Sequence, residues 1–160
     1  SGLQVLFVVT WAPKWANGGA NQYTPPVNPE DYARFFARAV NRYEPGGVAG
    51  TNVHGWEIWN EPNSAQFWTG PADPFRYTAL LRAAYTAGKA VDPGATIVTG
   101  GLAPDGDLNQ NPTNPRHPLN YIMGMYFSGA HGYFDAIGHH PYPPAPFSPL
   151  TGGASALAWN

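Results

Sequence analysis

The feature that most constrains the fold is an alternation between short apolar runs and longer segments with helical periodicity. The first run, Leu3 to Thr10, is continuous and rich in β-branched residues, without the alternation of a half-solvated strand. This pattern is typical of a parallel strand covered on both faces. Similar runs recur at roughly forty-residue spacing, so the chain is predicted to be an α/β protein with parallel strands.

Three further strands and three helices are predicted. The strands span His54 to Trp59, Ala95 to Thr99 and Phe134 to His140. Asn28-Pro29 and Asp73-Pro74 each place a capping side chain before a proline at the first helical position, which predicts a helix start. These helices are expected to stop at Pro45-Gly46-Gly47 and Asp92-Pro93-Gly94, and a weaker helix is expected from Leu119 to Phe127.

The length indicates part of a larger fold. A complete (β/α)8 barrel needs ~250 residues, and four strands in 160 residues make about half of one. We therefore predict one incomplete domain, residues 1–160, of a partial (β/α)8 barrel. An open nucleotide-binding sheet is the alternative, but no strand is followed by a glycine-rich phosphate loop. Gly100 and Gly101 are expected instead to make room for a neighbouring segment or substrate.

Composition narrows the function classes. Aromatic residues reach 14% of the chain and charged residues only 11%, with a formal charge of −2, so a nucleic-acid partner is not expected. Cys is absent, which excludes thiolate chemistry. The apolar stretch Val5 to Val9 is too short to span a bilayer, so a membrane partner is not expected either.

Polar and aromatic residues follow the ends of the predicted strands. They are Trp11 and Trp15 after the first, Asn60 and Glu61 after the second, Asp105 and Asp107 after the third, and His140 and Tyr142 after the fourth. The carboxyl ends of parallel barrel strands share one face, and that face carries the active site. The sequence therefore predicts a single cleft. Asp105 and Asp107 are more readily explained as solvated turn residues.

Glu61 stands in the run Trp56-Glu57-Ile58-Trp59-Asn60-Glu61-Pro62-Asn63. A carboxyl group at the end of an apolar strand could stay protonated and donate a proton, although Asn-Glu-Pro alone could merely cap the next segment. The whole run resembles the fourth-strand signature of the cellulase-like and xylosidase-like retaining glycosidases. The resemblance implies that Asn60 binds a sugar hydroxyl and that Glu61 is the general acid/base.

A second segment, Gly138-His139-His140-Pro141-Tyr142, resembles the sixth-strand His-x-Tyr element of the same clan. The resemblance implies that His140 and Tyr142 line the sugar subsite and orient the nucleophile, with a core role for His140 as the alternative. Strand alternation puts His139 on the other face, where we expect it to pack against a helix. The predicted strands would then be the third to sixth of the barrel, with strands one, two, seven and eight missing.

The resemblance also implies a nucleophilic Glu after the seventh strand, beyond Asn160, so the 160-residue chain alone is expected to be inactive. Glu57 is not a convincing partner, because four residues of extended chain place it ~13 Å from Glu61. Retaining carboxyl groups lie about 5 to 5.5 Å apart and inverting ones about 6.5 to 9.5 Å apart, so Glu57 is expected to fit neither arrangement. We expect Glu57 to pair with a basic group. Asp135 opens the fourth strand, on the face opposite the cleft, where a structural role is expected.

The predicted function is retaining hydrolysis of O-glycosidic bonds in a poly- or oligosaccharide, with no cofactor, by an extracellular or cell-envelope protein. Trp11 and Trp15 would stack on sugar rings, although loop packing explains them equally well. One alternative is a catalytically silent carbohydrate-binding barrel. Another is a metal-dependent hydrolase, but the histidines lack metal-binding spacing and none is predicted to bind metal. Those histidines are His117, His131, His139 and His140.

Overall fold

The computed structural model describes residues 4–104 and 113–141. Within them, three parallel strands alternate with three α-helices. The strands are β1 (Leu6–Val9), β2 (Gly55–Ile58) and β3 (Thr96–Thr99), and the helices are α1 (Pro29–Tyr43), α2 (Pro74–Val91) and α3 (Pro118–Phe127). The predicted α/β class is confirmed, and the arrangement is consistent with a partial (β/α)8 barrel.

The helices begin where the sequence predicts. Asn28 Oδ1 accepts a hydrogen bond from the Glu30 amide at the start of α1, and Asp73 Oδ1 accepts one from the Arg76 amide at the start of α2. Each satisfies an amide that has no partner within the helix. His117 caps α3 in the same way, with Nδ1 3.3 Å from the Leu119 amide.

The three strands form one sheet in the order β1-β2-β3 with strictly parallel register. One face packs against the helices: Trp56 of β2 makes edge-to-face contacts with Phe7 of β1 and Phe36 of α1, each at 5.5 Å between ring centroids. On the other face, Val8, Glu57 and Val98 lie side by side.

The prediction that the first strand is covered on both faces is wrong for the described part of the chain. Leu6 and Val8 are exposed, whereas Phe7 and Val9 are partly buried under the helix layer. Leu6 and Val8 lie on the face opposite the helix layer, where the described residues leave them exposed.

The predicted fourth strand is only partly present. Residues 135–140 run parallel to β3, but they pair through two isolated bridges, Val98 with Ala136 and Leu102 with His139, rather than through a continuous ladder. The ladder is interrupted because the Gly138 amide donates to the side-chain Oγ1 of Thr99, not to a backbone carbonyl. The segment nevertheless extends the sheet edge beyond β3.

Candidate active site at the carboxyl ends of the strands

The carboxyl ends of β1, β2 and β3 are joined to one another by backbone hydrogen bonds beyond the regular strands. The Trp59 amide donates to the Val9 carbonyl at 2.8 Å, and the Glu61 amide donates to the Gly101 carbonyl at 3.1 Å. The segment after β2 is therefore fixed between its two neighbours. This places Asn60 and Glu61 at the edge where a parallel α/β sheet carries its active site.

The backbone leaves β2 through an unusual turn. Trp59 has a φ of 71° and Glu61 a φ of 44°, a region that non-glycine residues rarely occupy. The Trp59 indole is buried and its Nε1 donates to the Phe67 carbonyl at 2.8 Å, which holds the turn in place. Backbone strain of this kind concentrates at functional sites. Here it turns the Glu61 side chain out of the strand direction.

Glu61 is brought together with His140 and Glu57. The Glu61 Oε1 lies 3.1 Å from His140 Nδ1, and Glu57 Oε1 lies 3.6 Å from His140 Nε2. The Glu57 side chain is only 5% exposed and that of Glu61 12%. One imidazole ring thus stands between two carboxylates, so its two nitrogens face two negative groups.

Glu57 is closer to Glu61 than the extended-chain estimate allows. Both carboxylates contact the same ring, which is incompatible with the ~13 Å of an extended strand. That estimate is wrong because the chain turns at Trp59. The prediction that Glu57 pairs with a basic group fits His140, and Glu57 Oε1 also accepts the Gly101 amide at 2.8 Å. The His140 ring lies between the two carboxylates.

Gly101 provides the room for this ring. A Cβ atom built there would lie 2.2 Å from His140 Nε2, far inside a van der Waals contact. At Gly100 the nearest atom would be the Ile58 carbonyl oxygen at 2.8 Å. The prediction that the two glycines make room for neighbouring segments is confirmed.

The other residues considered for the site or beside it are Asn60, Tyr142, Asp105, Asp107 and His139. Asn60 is half-buried beside Glu61 at the sheet edge. Tyr142, Asp105 and Asp107 lie outside the described residues. His139 does not pack against a helix as predicted: it is exposed, and its Nδ1 lies 2.9 Å from the Leu102 carbonyl, because the strand that would have aimed it at the helix layer is not continuous.

Trp11 and Trp15 line a groove of their own, with a volume of about 650 Å³, between the segment after β1 and the first turns of α1. Trp11 is 48% exposed and Trp15 72% exposed. Tyr32 and Phe35 of α1 form the opposite wall, whereas Asn60, Glu61 and His140 do not line the groove. The structure therefore brings the carboxylates and the histidine together, but gives the two tryptophans a separate surface.

Asn63, the last residue of the Asn-Glu-Pro-Asn run, has a structural role that the sequence analysis missed. Its buried side chain donates to the Ala103 and Arg116 carbonyls at 2.9 and 2.8 Å and accepts from the Ala103 amide. The Arg116 guanidinium returns a bond to the Asn63 carbonyl at 2.8 Å. These bonds tie the segment after β2 to both sides of the connection between β3 and α3.

Two buried tyrosines also support the site and were predicted only as apolar helix positions. Tyr32 Oη donates to the Val9 carbonyl and accepts from the Trp59 amide, linking β1 to β2. Tyr77 Oη donates to the Ile58 carbonyl and accepts from the Gly100 amide, linking β2 to β3. Burial, with a smaller contribution from neighbouring negative charge that includes Glu57, raises the pKa of both hydroxyls, so they stay protonated as donors.

The histidines outside the site give no metal-binding arrangement. His117 caps α3, and His131 is exposed beside the Tyr126 ring. Among residues 4–104 and 113–141, no group of three or more His, Asp or Glu side chains is arranged to hold a metal ion. No helix in this part of the chain is long and apolar enough to cross a membrane.

No protein-family model and no curated protein matches the chain. Among solved structures, the chain is similar to a glucosidase from Croceicoccus marinus, with a TM-score of 0.49 and 22% sequence identity. The match covers 64% of this chain and 20% of the glucosidase, so the chain spans well under two thirds of that protein. A likeness of this degree says nothing about the activity of the chain.

Proposed function

We propose that the chain is part of a retaining glycoside hydrolase in which Glu61 is the general acid/base. The observation that carries the proposal is the placement of Glu61: a nearly buried carboxylate at the carboxyl edge of a parallel sheet, 3.1 Å from His140 and on a strained turn. The Trp-Glu-Ile-Trp-Asn-Glu-Pro-Asn run that surrounds it supports the same role.

In the first step of the proposed reaction, the Glu61 carboxyl donates its proton to the glycosidic oxygen as the bond from that oxygen to the anomeric carbon breaks. A carboxylate from elsewhere in the protein attacks the anomeric carbon and forms a covalent glycosyl ester. Glu57 is not that nucleophile in this proposal, because the His140 ring separates it from Glu61. The nucleophile is instead expected beyond Asn160.

In the second step, Glu61 has become a carboxylate and accepts a proton from water. The water oxygen attacks the anomeric carbon, and the ester bond to the nucleophile breaks. Two inversions give net retention of configuration.

Residues 1–160 are proposed to form an incomplete barrel. Because the proposed nucleophile is not among them, they are expected to be inactive alone.

The proposed partner is a poly- or oligosaccharide. Asn60, His140 and Tyr142 are proposed to bind the sugar at the cleavage point, as the motif resemblance implies, while Trp11 and Trp15 offer exposed rings for stacking at a distance from it. No cofactor, nucleic acid or membrane enters the proposal. An extracellular or cell-envelope location suits such a substrate.

A catalytically silent carbohydrate-binding barrel is the second candidate. The observation that favours it is the separation of the Trp11 and Trp15 groove from Glu61, since aromatic rings can bind sugars without any reaction. A Glu at the end of the strand after the next strand–helix unit of the full-length protein supports hydrolysis. Its absence supports binding alone.

The test is Glu61→Gln in the full-length protein, with two aryl glycosides of different leaving ability. We expect cleavage of the substrate with the poor leaving group to slow by about 10²- to 10⁴-fold, because it needs the proton. The substrate with an activated leaving group needs no protonation, so formation of its glycosyl ester slows far less. Pre-steady-state release of the aryl group measures that step directly.

The matched control is Glu30→Gln, which neutralises an exposed glutamate in the first turn of α1. It is expected to keep both rates. Equal slowing of both substrates in Glu61→Gln, or no slowing of either, contradicts the assignment of Glu61.

A further inference from the structure

Glu57 is an unusual residue for its position. It lies in the middle of β2, on the face opposite the helix layer, between Val8 and Val98 in the register of the sheet. Its side chain is almost completely buried. Burying an ionised carboxylate is costly unless it is paired and hydrogen-bonded. An apolar side chain would fill a purely structural position between two valines at lower cost. The presence of a carboxylate there is therefore best explained by the groups that it contacts.

Two groups from distant parts of the chain meet that carboxylate. The Gly101 amide donates to Glu57 Oε1 at 2.8 Å, and His140 Nε2 lies 3.6 Å from the same oxygen. The opposite nitrogen of the ring, Nδ1, lies 3.1 Å from Glu61. The imidazole is therefore the link through which Glu57 can act on Glu61, and the absence of a side chain at residue 101 keeps the ring in reach of both.

We propose that Glu57 is a positioning residue that orients the His140 ring and holds a proton on Nε2, so that Nδ1 is the nitrogen presented to Glu61. The inference rests on the proposed role of Glu61 as the acid/base. Glu57 touches neither the substrate nor the transferred proton in this scheme. It acts only through His140.

In this scheme, the negative charge of Glu57 determines which nitrogen of the His140 ring carries the proton. A carboxylate opposite Nε2 favours an N–H there and disfavours a lone pair. Glu61 is the proton donor in the proposed reaction, and in its protonated form its O–H can donate to the lone pair of Nδ1. Glu57 and Glu61 thus face the ring from opposite sides with different hydrogen-bonding roles.

The kinetic test compares Glu57→Gln with the parent in the full-length protein. Removing the negative charge takes away the group that favours a proton on Nε2, so we expect kcat to fall about tenfold or more. KM is expected to change by less than about threefold, because Glu57 itself contacts no substrate in this scheme. Glu57→Asp keeps the charge, so its kcat is expected to stay closer to that of the parent.

The matched control is Val98→Thr, which changes polarity next to Glu57 on the same face without altering charge. Its kcat is expected to match the parent. An unchanged kcat in Glu57→Gln, or the same loss in Val98→Thr, overturns the inference.

The second measurement needs no activity. Nitrogen-15 NMR of histidine-labelled full-length protein reports which ring nitrogen of His140 carries the proton. We expect Nε2–H in the neutral ring of the parent, and a larger fraction of Nδ1–H in Glu57→Gln. A neutral ring protonated at Nδ1 in the parent overturns the inference. If the protein cleaves no glycoside, the proposed function fails, while this spectrum still decides the role of Glu57.

Discussion

Gly101 shows how a single missing side chain determines the site. It has no left-handed backbone conformation to explain it, and its importance lies in the space that His140 occupies. A methyl group there would overlap the imidazole nitrogen that faces Glu57. The residue therefore links the conformation of β3's end to the position of a side chain 39 residues later in the sequence.

We predict that Gly101→Ala displaces the His140 ring. Forcing a methyl group into the close-packed contact is expected to lower the free energy of unfolding by about 1–3 kcal/mol. Urea denaturation monitored by tryptophan fluorescence measures the change. Gly94→Ala is the control, because its new methyl would meet only a side-chain oxygen of Asp92 at 3.2 Å. Equal effects of the two substitutions would contradict the space-filling explanation.

At the residue scale, the motifs proposed Glu61, Asn60 and His140 as site residues, but the sequence did not predict the link between Glu57 and His140. The reason is the backbone after Ile58. An extended strand keeps residues four apart well separated, and neither Trp59 nor Glu61 signals a positive φ as a glycine would. The close approach therefore depends on a turn that has no signature in residue type.

The helices position the site as well as covering the sheet. Each begins with a capping residue, a proline, two variable residues and a tyrosine, as in Asn28-Pro29-Glu30-Asp31-Tyr32. The tyrosines of α1 and α2 insert hydroxyl groups between neighbouring strand ends. Within the described part of the chain, the hydroxyl of the equivalent Tyr121 of α3 reaches the Asp73 carbonyl at 3.5 Å. The repeated pattern is visible in the sequence, but its function is not, because tyrosine fits an apolar helix face equally well.

We predict that Tyr77→Phe lowers the free energy of unfolding by about 1–3 kcal/mol, because the Gly100 amide and the Ile58 carbonyl would both lose a buried partner. Chemical denaturation measures the loss. Tyr121→Phe is the matched control, since it removes the same hydroxyl from a longer contact. We expect a smaller change there, and a larger one in the control would refute the strand-linking role of Tyr77.

At the element scale, the caps and prolines made the helix starts predictable, and continuous apolar runs made β1, β2 and β3 predictable to within a few residues. The structure of the segment after α3 was harder to predict. Its apolar pattern is that of a strand, yet Thr99 intercepts the Gly138 amide with its side chain and breaks the ladder. Competition between side-chain and backbone acceptors is a tertiary effect that local periodicity does not report.

For the molecule as a whole, Asp135 ties the far end of the sheet to the helix layer. Its carboxylate accepts the Ile97 amide at 2.7 Å and lies 2.9 Å from Lys89 Nζ of α2. Partial burial opposes ionisation, but these hydrogen bonds and the lysine charge outweigh it and lower the pKa of Asp135. The structural role predicted for this residue, away from the cleft, agrees with these contacts.

The lowered pKa makes part of the stability depend on pH. The carboxylate stabilises the fold above its unfolded pKa of about 3.9, and this contribution disappears as the pH falls through the lower folded value. We predict that the free energy of unfolding falls more steeply below pH 5 in the parent than in Asp135→Asn, as measured by urea titrations at stepped pH. Parallel curves for the two proteins would rule out this contribution.

The residues of the candidate site are synthesised at different times. Glu61 and His140 are 79 residues apart in the chain, a length that a ribosome adds in roughly 4–16 s at ~5–20 residues per second. The tyrosines that fix the strand ends are made before His140. Glu57, Glu61 and the tyrosines that fix the strand ends are therefore all synthesised before the imidazole that lies between the two carboxylates. Of Glu57, Glu61 and His140, the last to be synthesised is the residue that connects the two acids.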